Sequence, residues 1–364
     1  MKILFFIESL RSGGKERRLV ELIKGLSKNP DIKMEIVLTK KDIHYTDVLA
    51  TNIKIHYTIR KEGLKKDPRI FYAFYKVVRK AKPDIIHVWG NLVAIYAIPT
   101  KIFLRIPMVN SQIADAPENV GNSILSHRLS FPFSDKILSN SYAGIVAYNA
   151  PEKKSDVIYN GFDFTRVDNV ENENIIRSKF SITTKLVVGM VASFSEMKDY
   201  TSYIQAANKI LKKTTSEVTF LCIGDGDDKQ YKEMVSIENK DKILFLGKQS
   251  NVEHIMNICD VGVLSTYTEG ISNALLEFAA LGKPVVTNFG GGNIELVDQG
   301  KTGYLVNQKS PEKLAEKIEI LLTDKKKRME FGRRAKEKVI QQFSIEKMIY
   351  SFTEIYSKLV ENRK

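Results

Sequence analysis

The chain has 364 residues, of which 43% are hydrophobic and 27% charged, and its formal net charge is +13. This length suffices for two domains with separate cores, and the composition excludes disordered and fibrous classes of protein. The longest uncharged stretch, residues 85–100, contains Gly, Asn and Pro and is too short to span a membrane. The apolar residues 3–7 precede an acid, which is typical of a strand rather than of a signal peptide.

The positive charge is concentrated in the first part of the chain. Residues 1–165 contain 26 Lys/Arg against 16 Asp/Glu, whereas the remainder contains 30 against 27. Cys222 and Cys259 each lie in an apolar neighbourhood, which indicates reduced core residues in a cytoplasmic protein rather than a disulfide or a metal site. The five histidines are scattered, so we expect no metal ligand cluster.

Short apolar strands alternate with helical patterns through the first half of the chain. Strands are predicted at residues 3–7, 34–38, 53–57, 84–88, 107–111, 136–139 and 157–159. Helices are predicted at residues 14–27, 68–82, 91–104 (with a break near Pro99) and 123–131. Because strands separated by helix-length segments favour parallel pairing, this alternation predicts a doubly wound α/β domain over residues 1–165.

The sequence Asn160-Gly161-Phe162-Asp163 and the polar residues 169–174 predict a turn and a linker. The same alternation then begins again. Strands are predicted at residues 186–191, 218–223, 243–245, 261–264 and 284–286, and helices at 200–211, 228–237, 252–258, 272–281, 311–322, 326–342 and 345–359. Residues 166–344 therefore form a second predicted α/β domain, followed by one last helix.

The stretch from residue 260 to 286 combines a buried strand, a turn and a helix that begins just after Glu269 and Gly270. Helix N-termini carry unpaired N–H groups and a partial positive charge, so they suit a phosphate. Glu277 follows Glu269 by eight positions, or roughly 12 Å along a helix, which is close to the span of a nucleotide-sugar from ribose to hexose. Taken alone, this spacing also fits a surface helix with two solvated glutamates.

The order of these residues is more specific than their spacing. The stretch has Glu-Gly before the helix, a second glutamate on the helix, and Gly-Lys-Pro-Val-Val at the start of the next strand. This order resembles the donor-site motif of the family-4 retaining glycosyltransferases. These are group 1 glycosyl transferases of bacterial surface polysaccharide synthesis. The resemblance extends over most of the chain.

The resemblance implies the GT-B fold, in which two doubly wound, Rossmann-like domains face each other across a cleft. Residues 1–165 would form the acceptor-side domain and residues 166–344 the nucleotide-sugar donor domain. The C-terminal helix, residues 345–364, would pack back on the first domain.

Residue roles follow from the same resemblance. Lys198 is expected to stabilise the departing diphosphate, Glu269 to hold the sugar and Glu277 the ribose. The implied donor-binding residues are Gly13, Gly14, Gly224, Gly226, Gly270, Ile271, Ser272, Asn273 and Glu277. Gly290-Gly291-Gly292 resembles a glycine turn that closes the sugar pocket. The family's arginine five or six residues before the lysine is missing, because Ser193 and Ala192 occupy those positions, and Arg and Lys are not equivalent phosphate ligands.

His87 ends a predicted strand at a place where the family often has histidines near the transferred sugar. It is therefore a candidate catalytic residue that would bond the sugar or receive the acceptor proton. The alternative is a structural histidine after an apolar strand. Trp89 stands at the family's second histidine position, which weakens the match.

Residues 60–82 mix nine basic residues with aromatic ones. Helical spacing places Phe71 and Phe74 on one face and the cations elsewhere, which is typical of a helix at an anionic membrane surface. The predicted membrane or acceptor patch comprises Lys65, Lys66, Arg69, Phe71, Phe74, Lys76, Arg79 and Lys80. The alternative is a core-packing helix with a solvated basic face. No binding motif accompanies the charge, so nucleic-acid binding explains it poorly.

We therefore expect a cytoplasmic, metal-independent, retaining hexosyltransferase. Association with the inner face of the membrane is a further expectation. Its substrates would be a UDP- or GDP-linked sugar and a glycan or lipid-linked glycan, and it would need no cofactor. Two other classes fit the sequence: a nucleotide-sugar epimerase or phosphorylase of the same fold, and a non-catalytic subunit that binds sugar nucleotides as a scaffold. The missing arginine and Trp89 are the reason why the scaffold is considered.

Overall fold

The structure is a computed structural model that describes residues 1–11, 13–64, 66–117, 123–213 and 217–363. It divides the chain into two compact units. The first unit comprises Met1–Gly161 together with the chain from Ile345 onward, and the second comprises Phe162–Ser344. The division falls inside the predicted turn Asn160-Gly161-Phe162-Asp163, and each unit is described by itself below.

The first unit contains a sheet of seven parallel strands in the order β3-β2-β1-β4-β5-β6-β7. The strands are β1 (Lys2–Ile7), β2 (Lys33–Leu38), β3 (Lys54–Tyr57), β4 (Ile85–Trp89), β5 (Met108–Ile113), β6 (Lys136–Ser139) and β7 (Ser155–Val157). Parallel strands buried on both faces appear in a sequence as continuous apolar runs, which is why the sequence predicted them. Only β7 differs clearly, because it begins and ends two residues before the predicted 157–159.

Five helices accompany these strands before the chain enters the second unit. They are α1 (Gly14–Leu26), α2 (Arg69–Ala81), α3 (Asn91–Leu104), α4 (Ser123–Arg128) and α5 (Tyr142–Ala147). The predicted break in α3 is wrong, since the helix continues through Pro99, which removes only one backbone hydrogen bond. Helix α4 is shorter than predicted, and α5 was not predicted; Ser141 caps it by accepting a hydrogen bond from Gly144 N at 3.1 Å.

The core of the first unit lies on both faces of its sheet. Successive side chains of a strand point to opposite faces. Ile3, Phe5 and Ile7 of β1 accordingly belong to one buried cluster, with α1, while Leu4 and Phe6 belong to another, with α2 and α3. All five side chains are fully buried, which explains the uninterrupted apolar sequence of β1.

The second unit contains six parallel strands in the order β10-β9-β8-β11-β12-β13. They are β8 (Leu186–Val191), β9 (Val218–Ile223), β10 (Ile243–Gly247), β11 (Val261–Leu264), β12 (Val285–Asn288) and β13 (Gly303–Val306). The sequence predicted the first five. The order reverses between β8 and β11, and such a switch point is where doubly wound sheets bind ligands.

The helices of the second unit are α6 (Thr165–Asp168), α7 (Glu173–Lys179), α8 (Tyr200–Lys213), α9 (Lys229–Glu233), α10 (Val252–Asn257), α11 (Asn273–Ala280), α12 (Asn293–Leu296), α13 (Pro311–Thr323) and α14 (Lys325–Gln342). The predicted linker therefore leads directly into α7. Helix α9 is shorter than predicted and gives way to a 3-10 turn at Ile237–Asn239. Within the described ranges, no helix of either unit has both the length and the apolar character needed to cross a bilayer.

The last helix, α15 (Ile345–Glu361), belongs to the first unit. Its residues Met348, Phe352 and Tyr356 join the same buried cluster as α1 and the β1 side chains Ile3, Phe5 and Ile7. Phe352 and Tyr356 are fully buried. The core of this unit is therefore built from both ends of the chain.

Both cysteines are buried, and neither forms a disulfide bond. Burial raises the pKa of Cys222 above its usual range and the pKa of Cys259 to about 12, so both thiols are protonated at neutral pH. The structure agrees with their interpretation as core residues. Among the residues that the structure describes, no group of three or more His, Cys, Asp or Glu side chains is arranged to hold a metal ion.

Candidate active site

The predicted nucleotide-sugar residues of the second unit follow four neighbouring strands. The loops after β8, β9, β11 and β12 carry Lys198, Gly224, Glu269 and Gly291, respectively. Because these strands are parallel and adjacent, their carboxyl ends meet at one edge of the sheet. The fold thus gathers residues that are almost 100 positions apart in sequence.

Lys198 and Glu269 are in direct contact. Lys198 Nζ forms an ion pair with Glu269 Oε2 and also lies 3.3 Å from Thr266 Oγ1. The backbones of Lys198 and Thr266 form an antiparallel bridge, which fixes the lysine loop against the turn after β11. The two charged side chains remain 17% and 21% exposed, so solvent and ligands can reach the pair.

The turn between β11 and α11 is held by buried polar groups. Asn288 Oδ1, at the end of β12, accepts a hydrogen bond from Thr266 N at 2.7 Å. Ser272 is the N-cap of α11, and its Oγ accepts from Leu275 N at 3.4 Å. The predicted phosphate-binding residues Gly270, Ile271, Ser272 and Asn273 therefore form the N-terminal entry of a regular helix, where N–H groups and the helix dipole favour an anion.

Gly291 and Gly292 pack on the backbone of this turn. Gly291 has φ +54°, and a Cβ there would lie 2.1 Å from the carbonyl oxygen of Glu269. A Cβ on Gly292 would lie 2.4 Å from the carbonyl oxygen of Gly270, and Gly292 N donates to Glu269 O at 3.0 Å. Only glycine permits this approach, so the triple-glycine segment helps to set the position of Glu269.

Gly224 and Gly226 bring the loops after β8 and β9 together. A Cβ on Gly224 would lie 1.8 Å from Ala192 O, and one on Gly226 would lie 2.6 Å from Phe194 O. Phe194 N donates to Asp225 O at 2.7 Å. These glycines therefore shape the loop that leads to Lys198, whatever they contribute to a ligand.

Ser193, at the place of the family's missing arginine, is exposed, and its Oγ lies 3.2 Å from Ser195 Oγ. A serine hydroxyl carries no charge to offset a diphosphate. In this loop the cation is Lys198, which lies next to the turn that leads to the N-terminus of α11.

Glu277 lies on α11 with only 4% of its side chain exposed, and its partner was missed by sequence reasoning. Arg166 of α6 donates from Nη2 to Glu277 Oε1 at 2.8 Å and also to Glu253 Oε1 of α10. Burial tends to lower the pKa of Arg166, but the charges of Glu277 and Glu253 and their hydrogen bonds raise it above its usual value. Arg166 precedes Glu277 by 111 positions, and no local pattern marks the pair.

His87 is not at a surface. It is fully buried in the first unit, with Nδ1 2.7 Å from Tyr356 Oη and Nε2 2.7 Å from Ser111 Oγ. Burial, and secondarily the positive charge of Arg18, lowers the pKa of His87 well below its usual value. The structure thus corrects the catalytic role in favour of the structural alternative, because both ring nitrogens are engaged inside the core.

Arg18 lies beside this histidine as a buried cation. Its guanidinium carbon is 5.4 Å from the Trp89 ring centre and 5.3 Å from the Phe352 ring centre, and Nη2 donates to Ile158 O. Burial lowers the pKa of Arg18 to about 9, so it stays charged at neutral pH. Trp89, which stands at the family's second histidine position, therefore forms a cation–π contact with Arg18.

Gly13 lies between β1 and α1, as predicted, and Gly14 is the first residue of α1. The hydroxyl of Tyr45 lies 3.4 Å from Gly13 N and 3.3 Å from Gly13 O. A Cβ on Gly13 would lie 2.3 Å from Glu16 Oε2, so the absence of a side chain leaves room for that carboxylate. The two glycines therefore stand at the start of α1, which follows β1 at the carboxyl edge of the first sheet.

The predicted membrane patch on α2 is corrected in part. Phe74 is fully buried, with its ring stacked 4.1 Å from that of Phe6, and Phe71 packs edge-on against Tyr96 at 5.0 Å. The apolar face therefore packs into the core. The cations of the patch that the structure describes are exposed: Lys66, Arg69, Lys76, Arg79 and Lys80. Lys65 lies outside the described residues.

Arg69 is committed to a neighbour, because it forms a bidentate ion pair with the buried Asp67, at 3.0 Å from Nε to Oδ1 and 2.6 Å from Nη2 to Oδ2. The hydrogen bond and charge of Asp67 raise the pKa of Arg69. This pair fixes the start of α2. The helix thus matches the alternative interpretation, a core-packing helix with a solvated basic face.

Known proteins resemble this chain in sequence and in fold. Residues 171–338 match the family Glycosyl transferases group 1. The N-acetyl-alpha-D-glucosaminyl L-malate synthase of Bacillus anthracis is 28% identical over 309 residues, covering 79% of this chain and 78% of the relative. The GalNAc-alpha-(1->4)-GalNAc-alpha-(1->3)-diNAcBac-PP-undecaprenol alpha-1,4-N-acetyl-D-galactosaminyltransferase of Campylobacter jejuni is 24% identical over 349 residues, covering 93% of both chains.

The crystal structure of Anabaena HepE in complex with UDP matches with a TM-score of 0.86 and 22% identity, covering 98% of this chain and 100% of the other. The two doubly wound sheets agree with the predicted GT-B fold. The match of residues 171–338 and these relatives agree with the predicted resemblance to the group 1 glycosyl transferases.

Proposed function

We propose that the chain transfers a hexose from a UDP- or GDP-linked sugar to a glycan, with retention at the anomeric carbon. The contact between Lys198 and Glu269 carries this proposal. In a nucleotide-sugar, the diphosphate and the hexose are joined through one oxygen atom, so the groups that bind them should be neighbours. A cation and an acid in contact at the entry of α11 meet that requirement.

Each acid and cation then has a role in catalysis. Lys198 and the N–H groups at the start of α11 stabilise the charge that develops on the departing diphosphate. Glu269 accepts hydrogen bonds from sugar hydroxyls, and Glu277, eight positions further on and within α11, accepts them from the ribose. Because the diphosphate charge is assigned to these protein groups, the reaction is proposed to need neither a metal ion nor a cofactor.

The acceptor is proposed to be a lipid-linked glycan of surface polysaccharide synthesis, used at the inner face of a membrane. The name of the Campylobacter jejuni relative specifies an undecaprenol-linked glycan. The exposed cations of α2 would attract an anionic lipid surface by charge alone, since the apolar face of the helix is in the core. The Bacillus anthracis relative is named for L-malate, which makes a small carboxylic acid the second candidate acceptor.

Nucleotide release tests this proposal. UDP- and GDP-sugars are incubated with no acceptor, with a lipid-diphosphate glycan or with malate, and the free nucleotide and the anomeric product are measured. Acceptor-dependent release with a retained anomer is expected. Conversion of the sugar without an acceptor would replace the proposal with an epimerase, and binding without turnover on any acceptor would replace it with a scaffold.

A further inference from the structure

Three charged side chains from separate helices converge, and one of them is Glu277, the predicted ribose-binding acid. Arg166 Nη2 donates to Oε1 of Glu277 at 2.8 Å and to Oε1 of Glu253. One nitrogen atom therefore serves two carboxylates. The cluster carries two negative charges and one positive charge.

The cluster is nearly excluded from solvent. The side chains of Arg166, Glu253 and Glu277 are 17%, 10% and 4% exposed. Charges interact more strongly in such a site than in water, so two carboxylates this close together would repel each other severely without the guanidinium. The guanidinium thus offsets the repulsion between the two carboxylates and holds them side by side.

Arg166 is itself held in place. Its guanidinium carbon lies 4.9 Å from the centre of the Phe162 ring, and Phe162 is 1% exposed. Phe162 N donates to Phe343 O at 2.8 Å, which ties this segment to the end of α14. Arg166 therefore has one aromatic face and two carboxylates to fix its rotamer, and its orientation fixes theirs.

We propose that Arg166 is a positioning residue, which holds the carboxylate of Glu277 in the orientation that accepts hydrogen bonds from the donor ribose. This inference rests on the proposed function, in which Glu277 holds the ribose. It also means that Arg166 does not replace the missing arginine at Ser193, because the guanidinium is committed to acids and not to the diphosphate. Ribose binding is the same before and during the chemical step, so the loss of Arg166 should weaken nucleotide binding more than turnover.

The test compares four proteins: wild type, Arg166→Met, Arg166→Met/Glu253→Gln, and Arg328→Met as the matched control. Arg328 is an arginine of the same unit, 12% exposed, 3.4 Å from Asp260 and bonded to Leu321 O and Leu322 O. UDP and GDP serve as probes for the dissociation constant by calorimetry. The kcat and KM values are measured with the sugar nucleotide that the wild type uses.

We expect Arg166→Met to raise Kd and KM about tenfold or more, with kcat changed less than about threefold. Glu253→Gln in the same protein should recover part of the affinity, since it removes the repelling charge and keeps a polar side chain.

Several outcomes would overturn the inference. Arg166→Met could match Arg328→Met in Kd, or it could lower kcat with KM unchanged, which would place Arg166 on the diphosphate. If Met at position 166 prevents folding, Arg166→Lys carries the test: lysine keeps the positive charge but lacks the planar guanidinium that lies over the Phe162 ring, so an intermediate Kd is expected and a wild-type Kd overturns it. A wild type that binds neither UDP nor GDP would instead contradict the proposed function.

Discussion

The carboxyl edges of the two sheets show how similar folds use polar residues differently. In the second unit, the edge gathers Lys198, Glu269 and the start of α11, and their side chains stay within reach of solvent. In the first unit, the polar residue predicted for the same kind of edge, His87, is fully buried and bonded on both ring nitrogens. An architecture of parallel strands therefore locates a candidate site, but only burial and hydrogen bonding tell a reactive group from a structural one.

The largest effect is expected at Lys198. Lys198→Ala removes the cation proposed to offset the leaving diphosphate, and the absence of an arginine at Ser193 leaves little to replace it. Turnover should fall about 100- to 1,000-fold while the fold survives. Steady-state nucleotide release and circular dichroism measure the two properties. Lys209→Ala, which removes a more exposed lysine of α8 that pairs with Glu312 at 3.6 Å, is the control. Near-wild-type turnover in Lys198→Ala would remove the mechanism.

The glycine turn should give the next effect. Gly291→Ala places a Cβ 2.1 Å from Glu269 O, so the backbone that carries the sugar-binding acid must move. Turnover is expected to fall about tenfold or more, since small displacements of a reacting group are costly. Gly300 is the matched control, because its φ of +70° imposes similar strain but no atom lies within 4 Å of its Cβ position. Equal activities of the two variants would contradict the packing argument.

His87→Gln should change stability rather than chemistry. Losing the bonds to Tyr356 and Ser111 is expected to cost about 1–3 kcal/mol of unfolding free energy, with kcat nearly unchanged. Trp89, the single tryptophan of the chain, lies in the same core and reports unfolding of this unit by its fluorescence. A large loss of kcat with unchanged stability would restore the catalytic role.

The pH dependence of the unfolding free energy is a second test of the structural role of His87. The folded protein keeps His87 neutral well below pH 6.5, whereas the unfolded chain takes up a proton near pH 6.5. The unfolded state binds more protons in that window, so stability is lost as pH falls below 6.5, by up to about 1.4 kcal/mol per pH unit. Urea titrations at pH 7.5 and 5.5 should show this loss in the wild type and a smaller one in His87→Gln. An equal loss in both proteins would assign it to other groups.

The smallest effect is expected on α2. Replacing Lys76, Arg79 and Lys80 with Ala should leave turnover on a soluble acceptor unchanged and weaken binding to vesicles that contain phosphatidylglycerol by roughly 1 kcal/mol per residue. The control replaces three exposed cations of α14, Lys325, Lys326 and Lys336. Equal losses in the two variants would show that net charge, and not the surface of the first unit, drives the association.

The sequence was most informative where one chain segment carries the whole pattern. Strands with continuous apolar runs were located to within a few residues, and the stretch around Glu269 and Glu277 indicated the site because its residues are close in sequence. The α2 pattern correctly indicated one apolar face, but periodicity does not say whether that face meets lipid or a protein core. The burial of Phe74 decides this in favour of the core.

Two features could not have been predicted from local patterns. The Arg166–Glu277 pair joins residues 111 positions apart, and the His87–Tyr356 hydrogen bond joins residues 269 positions apart. Both contacts depend on which distant helices and strands pack against each other. A polar residue in an apolar strand signals either a ligand site or a distant buried partner, and the sequence alone does not distinguish them.

The return of α15 to the first unit has a consequence for biosynthesis. The second unit is one continuous segment, Phe162–Ser344, so it can finish folding as soon as it leaves the ribosome. The first unit is translated earlier yet lacks Phe352 and Tyr356 until α15 has been synthesised. The nascent first unit therefore exposes apolar surface until α15 packs against it. A truncation within α15 should destabilise the first unit, although that unit is synthesised first.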